Sequence, residues 1–170
     1  IETGDIGKGM DAYLSLFPVD ENVAGSGEAS ITSVLLRCWE TNETGIHEVR
    51  IPHGTSLVIE VAVQTQREGQ LFMQIDTQGF VTVMVSKVLD EQRNPLCLSP
   101  GRHRLKLDVG KIELNAGLYS IVLGVLDPVT RVCLCRHQGV ASFQVVADSV
   151  EWGYMVRHLV GQEVSIESIL

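Results

Sequence analysis

Leu-Asn-Ala-Gly-Leu-Tyr at residues 114–119 leads directly into an apolar run that ends at Leu126. The spacing Leu-x-x-Gly-x-Tyr is typical of the tyrosine corner of Greek-key β-sandwiches, in which the tyrosine hydroxyl binds backbone a few residues upstream. We expect Gly117 to supply freedom in φ at this corner. Because nearly every residue of 118–126 is apolar, we predict a central strand covered on both faces. The alternative is a plain hairpin strand with a chance tyrosine.

Segments on both sides of the corner alternate between apolar and polar residues, as half-buried strands do. Residues 56–66 alternate cleanly, and so do residues 101–109. Residues 29–39 alternate if a bulge lies near Ser33, which directs Arg37 and Trp39 outward. About eight or nine such strands, separated by turn signals, predict an all-β fold: an antiparallel sandwich of Greek-key or jelly-roll type.

The pattern divides the chain into three parts. Residues 1–24 are predicted to be a lead-in or linker arm, residues 25–147 the sandwich, and residues 148–170 a C-terminal extension. The extension begins with an apolar helical stripe and ends with an alternating segment at 163–169. A terminal strand held away from its own sheet can be exchanged with a neighbouring chain. The residues of the helical stripe are Trp152, Met155, Val156 and Leu159.

Charge and cysteine content exclude several classes of protein. A net charge of −8 argues against nucleic acid as a partner. The four cysteines lack the spacing of a disulfide framework or a zinc site, which predicts a reducing, cytosolic setting and no metal. No apolar run approaches the roughly 18 residues of a membrane span. The chain begins at Ile1 without a signal-peptide pattern, and we expect it to be a piece of a longer protein.

The sequence lacks the motifs that would indicate catalysis. It contains neither Gly-x-Ser-x-Gly nor a complete phosphate loop, so we predict no catalytic residues, no cofactor and no enzyme. A sugar-active enzyme is a weaker alternative, with Glu60 and Asp76 as its carboxylates. A sandwich without a catalytic set most often binds a partner. A structural or protein-interaction sandwich therefore remains an alternative to a ligand-binding one.

Polar and indole side chains on the outward strand faces form the candidate binding site. Planar amides and guanidinium groups make paired hydrogen bonds to neighbouring sugar hydroxyls, and an indole stacks on the apolar face of a sugar. Arg136 and His137, beside the central strand, would bind a carboxylate or cap a sheet edge. The predicted carbohydrate-binding residues are Arg37, Trp39, Gln64, Gln74, Asp76, Arg136 and His137.

Five segments within residues 25–146 together resemble a known family. They are Gly-Ser-Gly-Glu-Ala-Ser-Ile (25–31), the strand–turn–strand at 73–85, the corner at 114–119, Leu-Gly-Val-Leu-Asp (123–127) and Ala-Ser-Phe-Gln-Val (141–145). On these segments the chain resembles the C-terminal carbohydrate-binding domain of Wzt, the ATP-binding subunit of bacterial O-antigen polysaccharide ABC transporters. The corner and Phe-x-Val occur in many β-sandwich families, whereas Gly-x-Gly-Glu-Ala-x-Ile ahead of them is found in fewer families.

The resemblance implies a function, partners and a location. It implies a non-catalytic cytoplasmic domain that recognises the modified non-reducing terminus of a lipid-linked O-antigen polysaccharide before export. It implies an ATPase domain upstream of this sequence, which would connect the chain to a transmembrane permease subunit at the inner face of the inner membrane. It also implies a homodimer, in keeping with two ATPase copies per transporter. Binding residues vary with the glycan in this family, so the seven candidates rest on strand-face geometry alone.

Overall fold

The computed structural model describes residues 22–47, 49–78, 81–146 and 155–167, and for the last of these ranges only the backbone. The elements in these ranges are strands joined by turns and loops. They are β1 (Asn22–Ala24), β2 (Ala29–Cys38), β3 (Thr44–Gly45), β4 (Val49–Pro52), β5 (Ser56–Thr65), β6 (Gly69–Thr77), β7 (Thr82–Leu89), β8 (Cys97–Leu98), β9 (Gly101–Lys111), β10 (Gly117–Leu126), β11 (Cys133–Val146) and β12 (Met155–Glu167). No helix long and apolar enough to cross a bilayer occurs in these ranges.

The strands form the two halves of a sandwich around one apolar core. One half has the order β1-β11-β10-β6-β7, and the other has the order β9-β5-β2-β3. β12 joins the halves, since it pairs in parallel with β7 and antiparallel with β9. Apart from a second parallel pair between β4 and β11, the pairings are antiparallel. The predicted fold class, an all-β antiparallel sandwich, is confirmed.

The tyrosine corner is present at the start of β10. The Tyr119 hydroxyl donates to the carbonyl oxygen of Asn115 over 2.8 Å. The Tyr119 ring stacks on Phe143 of the neighbouring strand, with 5.6 Å between the ring centroids. Burial raises the pKa of Tyr119, because the charged phenolate would lose its hydration. The expectation for Gly117 is wrong: its φ is not positive, and the corner closes without a left-handed residue there.

β10 is a central strand, as its apolar run predicted. It lies between β6 and β11 and pairs with both along its length. Its residues from Tyr119 to Val125 are buried on both faces of the sheet. A strand in this position has no free edge and no wet face, which is why polar residues are rare in its sequence.

The predicted bulge in β2 also occurs. The register with β5 shifts between Ile31 and Ser33, and beyond the shift Val34 points into the core. Arg37 and Trp39 therefore face outward, as the bulged alternation requires. A second irregularity lies in the pairing of β10 with β11, whose register shifts between Ile121 and Val122.

A charged cluster ties three turns together at one end of the sandwich. Arg67, in the turn after β5, forms an ion pair with Asp127 and a second one with Glu28 at 3.6 Å. The backbone N–H groups of Thr130 and Val129 donate to Asp127 over 2.7 and 2.9 Å. The pKa of Asp127 is lowered, chiefly because its carboxylate accepts the hydrogen bond from the Thr130 backbone. Glu28 and Asp127 belong to two of the segments that carry the family resemblance, 25–31 and 123–127. Because both carboxylates are bound by protein groups, these two segments have a structural role.

The predicted helix in the C-terminal extension is wrong from residue 155 onward. Residues 155–160 lie beside β7 and residues 160–167 lie beside β9, all within β12. The edges of two strands offer backbone hydrogen bonds along the whole segment, and this tertiary pairing overrides a local helical pattern. The start of the predicted helix, at residues 148–154, lies outside the described residues, as do residues 1–21 of the predicted lead-in arm. Residues 22–24 form β1, which pairs with β11.

Candidate functional site

The structure divides the predicted binding residues between the two outer faces of the sandwich. Arg37, Trp39 and Gln64 belong to the half formed by β2, β5 and β9. Gln74, Asp76 and Arg136 belong to the other half, on β6 and β11.

We name these surfaces the open face and the closed face. The open face comprises Arg37, Trp39, Glu60, Gln64, Arg102, Arg104 and Lys106, which are exposed or half-buried. The closed face comprises Phe72, Gln74, Asp76, Ser120, Val122, Gly124, Arg136 and Ser142. The two faces differ in how their polar groups are used.

At one end of the open face, an aromatic ring lies beside paired charges. The side chain of Trp39 is 58% exposed. The Lys106 ammonium nitrogen lies 5.3 Å from the centroid of the Trp39 ring, within range of a cation–π interaction. On the same face, Arg37 forms an ion pair with Glu60, with 3.4 Å between Arg37 Nη2 and Glu60 Oε1. The arrangement presents an apolar platform with hydrogen-bonding groups on one side of it.

At the other end, the bulge in β2 leaves a depression of about 370 Å³. An extra residue bends a strand locally, and here the Thr32 hydroxyl bridges the irregularity by donating to the carbonyl of Ala62 over 3.2 Å. We name this feature the bulge depression. Its lining residues are Thr32, Ser33, Ala62, Val63, Gln64, Arg102, His103 and Arg104.

Three basic residues of the open face were not predicted as site residues from the sequence. Arg102, Arg104 and Lys106 occupy alternate positions of β9, opposite the buried positions of the same strand. Their spacing was visible in the sequence as the polar half of an alternating segment. What the sequence did not show is that β9 lies next to β5, which brings Arg102 opposite Gln64.

On the closed face, the polar groups bind one another. Gln74 Nε2 donates to Asp76 Oδ1 over 3.1 Å and lies 3.2 Å from the hydroxyl of Thr82. Asp76 is only 1% exposed. In the register, Ser120 lies opposite Asp76, and it is buried too. Asp76 and Ser120 are therefore covered from solvent, and Asp76 is bound by the half-buried Gln74.

Arg136 and His137 do not act together. The register sets Arg136 opposite Gly124, on the closed face, and His137 opposite the core residue Leu123. Because successive side chains of a strand point to opposite faces, the two cannot grip one carboxylate.

The carboxylates considered for a sugar-active enzyme are also separated. Glu60 lies on the open face and Asp76 on the closed face, so the sandwich core stands between them. Within the described ranges, no group of three His, Cys, Asp or Glu side chains is placed to hold a metal ion. The four cysteines are free thiols, and burial raises the pKa of Cys135.

Comparison with known proteins adds structural relatives but no relative by sequence. No family model matches the sequence, and no curated protein matches it. Among solved structures, the crystal structure of the C-terminal domain of Wzt is similar, with a TM-score of 0.61 and 16% sequence identity. The match covers 82% of this chain and 86% of that chain. The chain therefore has the fold of the C-terminal domain of Wzt, as the resemblance of residues 25–146 predicted.

Proposed function

We propose that this chain is a non-catalytic glycan-binding module that recognises the modified terminus of a lipid-linked O-antigen polysaccharide for export by an ABC transporter. The observation that carries the proposal is the open face, which combines the exposed indole of Trp39 with polar groups that face solvent. The shared fold with the C-terminal domain of Wzt supports the same function. Together they favour carbohydrate as the ligand and the open face as its site.

The layout of the open face suits a sugar chain. An indole stacks on the C–H face of a sugar ring, while guanidinium and amide groups bind the hydroxyls at the ring's edge. The extended backbone from Ser33 to Trp39 spans about 20 Å at the usual rise per residue of a strand. This length accommodates more than one sugar ring between the indole and the bulge depression. We expect the terminal sugar to lie at one of these two ends.

The partners follow from the same proposal. The chain would act as a homodimer and would join the permease subunit through an ATPase domain outside this sequence. It would therefore work in the cytoplasm, at the inner face of the inner membrane. The resemblance of residues 25–146 to the C-terminal domain of Wzt supports this arrangement.

A binding experiment tests the proposed function. The full 170-residue chain is titrated with O-polysaccharide from the source cells and with the same polymer after removal of its terminal modification. We expect only the modified polymer to bind. Trp39→Ala should weaken this binding about tenfold, equivalent to about 1.4 kcal/mol, because the stacking platform is lost.

A matched control separates loss of the site from loss of the fold. Val129, in the turn after β10, is an apolar residue more exposed than Trp39, so Val129→Ala should leave both binding and unfolding unchanged. Equal affinity for the two polymers would contradict recognition of the terminus. Unaltered affinity in Trp39→Ala would move the site away from the open face.

A truncation after Ala147 tests the proposed dimer. It removes β12, which pairs with the edges of β7 and β9. If the extension mediates dimerisation by exchange of this strand, the full chain should be a dimer and the truncated chain a monomer. Light scattering coupled to size-exclusion chromatography measures this directly. If the truncated and full chains have the same oligomeric state, the extension does not mediate association.

A further inference from the structure

The bulge depression is positively charged in a chain whose net charge is −8. Two of its lining residues are arginines, and none of them is acidic. The ion pairs recorded among the described side chains are Arg37–Glu60, Arg67–Glu28 and Arg67–Asp127. Within that part of the chain, the guanidinium groups of Arg102 and Arg104 are therefore not neutralised by a carboxylate.

Two further side chains of the depression, a hydroxyl and an amide, make no hydrogen bond within the part of the chain that the structure describes. Among the described residues, no hydrogen bond engages the side chain of Ser33 or that of Gln64, although both line the depression. Thr32 differs, because its hydroxyl already donates to Ala62. A hydroxyl, an amide and two guanidinium groups thus line one concave surface, and none of them is bound by a side chain that the structure describes.

We propose that the bulge depression binds an anionic substituent of a sugar, a phosphate or a carboxylate, and that Arg104 is its principal ligand. This inference rests on the proposed glycan-binding function and adds the chemical class of the group recognised. A guanidinium presents paired donors that match the oxygens of a phosphate or carboxylate, and such charge-assisted bonds are stronger than those to neutral hydroxyls. Ser33 and Gln64 would donate to the remaining oxygens.

The neighbouring strand distinguishes the two arginines. The register of β12 with β9 sets Glu167 opposite Arg102, whereas it sets Ser165 opposite Arg104. The position next to Arg102 therefore carries an acidic residue, and the position next to Arg104 carries a neutral one. For this reason we assign the larger share of anion binding to Arg104.

Nuclear magnetic resonance titrations of the full chain test the assignment. The probes are glucose 6-phosphate, glucuronate, glucose and inorganic phosphate. At least one of the two anionic sugars should shift the resonances of residues 32–33, 62–64 and 102–104, whereas glucose should not. The affinity should fall as ionic strength rises, because salt screens exposed charges.

Charge-matched variants identify the ligand. Arg104→Gln should reduce the affinity for the anionic sugar about tenfold, as expected for a lost charge-assisted hydrogen bond, and Arg102→Gln should reduce it less. Lys87→Gln removes the same charge from exposed Lys87 on β7, in the other half of the sandwich, and should leave the affinity unchanged. Equal losses in Arg104→Gln and Lys87→Gln would show a general charge effect and overturn the site.

The remaining outcomes separate this inference from the proposed function. If neither anionic sugar shifts these resonances, or inorganic phosphate binds as tightly as glucose 6-phosphate, the inference is wrong. Binding of O-polysaccharide that persists in Arg104→Gln would also overturn it while the glycan-binding function stands. Anionic sugars that bind through Arg104, in a chain that ignores O-polysaccharide, would refute the function and leave the anion site in place.

Discussion

The open face and the closed face carry the same kinds of side chain in different environments. Both contain a glutamine and a carboxylate on the outward side of a strand, namely Gln64 with Glu60 and Gln74 with Asp76. On the open face these groups are exposed or half-buried. On the closed face Asp76 is buried and Gln74 binds both it and Thr82. Residue type alone therefore does not separate a surface whose polar groups face solvent from one whose polar groups bind one another.

The difference arises from the neighbours of each face. Closed-face strand β10 places small or apolar residues between β6 and β11, and the Phe72 ring packs over Gly124. On the open face, β9 presents long basic side chains at alternate positions, which keep their charged ends in water. Polar groups on the closed face are thus bound within the protein, while those on the open face remain in contact with solvent.

The largest effect should follow from disturbing the closed face at Gly124. A Cβ atom there would lie 2.3 Å from the Phe72 ring and 2.9 Å from the backbone oxygen of Cys135. Gly124→Ala should therefore lower the free energy of unfolding by about 1–3 kcal/mol, as overpacking does. Gly117→Ala is the matched control on the same strand, because its Cβ would meet the Tyr119 ring only at 3.7 Å. Equal denaturant midpoints for the two variants would show that the Phe72–Gly124 contact is not tight.

A paired glutamine substitution compares the two faces directly. Gln74→Ala should cost about 1–2 kcal/mol of unfolding free energy, because it leaves the buried Asp76 without its donor. Gln64→Ala should change stability by less than about 0.5 kcal/mol and should weaken ligand binding instead. Chemical denaturation and ligand titration of both variants measure these effects. The reverse result, with Gln74 needed for binding, would place the site on the closed face.

The tyrosine corner should contribute a smaller amount. Tyr119→Phe removes the hydrogen bond to Asn115 and should cost about 1 kcal/mol of stability, while ligand affinity stays the same. Thermal and denaturant unfolding give the stability, and titration with the polysaccharide gives the affinity. A variant that loses affinity but keeps its stability would place Tyr119 in the binding site.

The smallest effect on stability is expected from the ion pair of the open face. Arg37 and Glu60 are 3.4 Å apart, and both side chains are more than a third exposed. Pairs of this kind contribute about 0–1 kcal/mol, so Arg37→Gln and Glu60→Gln should unfold nearly as the unmodified chain does. A double-mutant cycle measures their coupling. A coupling energy well above 1 kcal/mol would show that this part of the open face is structural.

Much of the fold was predictable because it depends on local patterns. The alternation of apolar residues assigned the inward and outward positions of β5 and β9, and it required the bulge near Ser33 that the structure contains. The Leu-x-x-Gly-x-Tyr spacing predicted the hydrogen bond that Tyr119 makes. The helical stripe gave a wrong prediction at residues 155–160, because pairing with β7 makes this segment a strand.

The candidate site was less predictable because it depends on contacts between distant segments. Nothing in the sequence near Arg104 indicates that it lines a depression with Ser33, some 70 residues earlier in the chain. Likewise, Gln74 and Asp76 are polar residues at outward positions in the sequence, and only neighbouring strands bury Asp76.

The sequence by itself therefore determined which residues form strands and which face of each strand is apolar, since these follow from a two-residue period and from turn chemistry. Tertiary structure alone decided which strands are neighbours and which outward polar groups stay in water. The physical reason is that exposure and hydrogen-bond partners depend on packing across the sheet. Gln64 and Gln74 show this most simply: both lie on the outward side of a strand, but among the described residues Gln74 binds Asp76 while Gln64 makes no side-chain hydrogen bond.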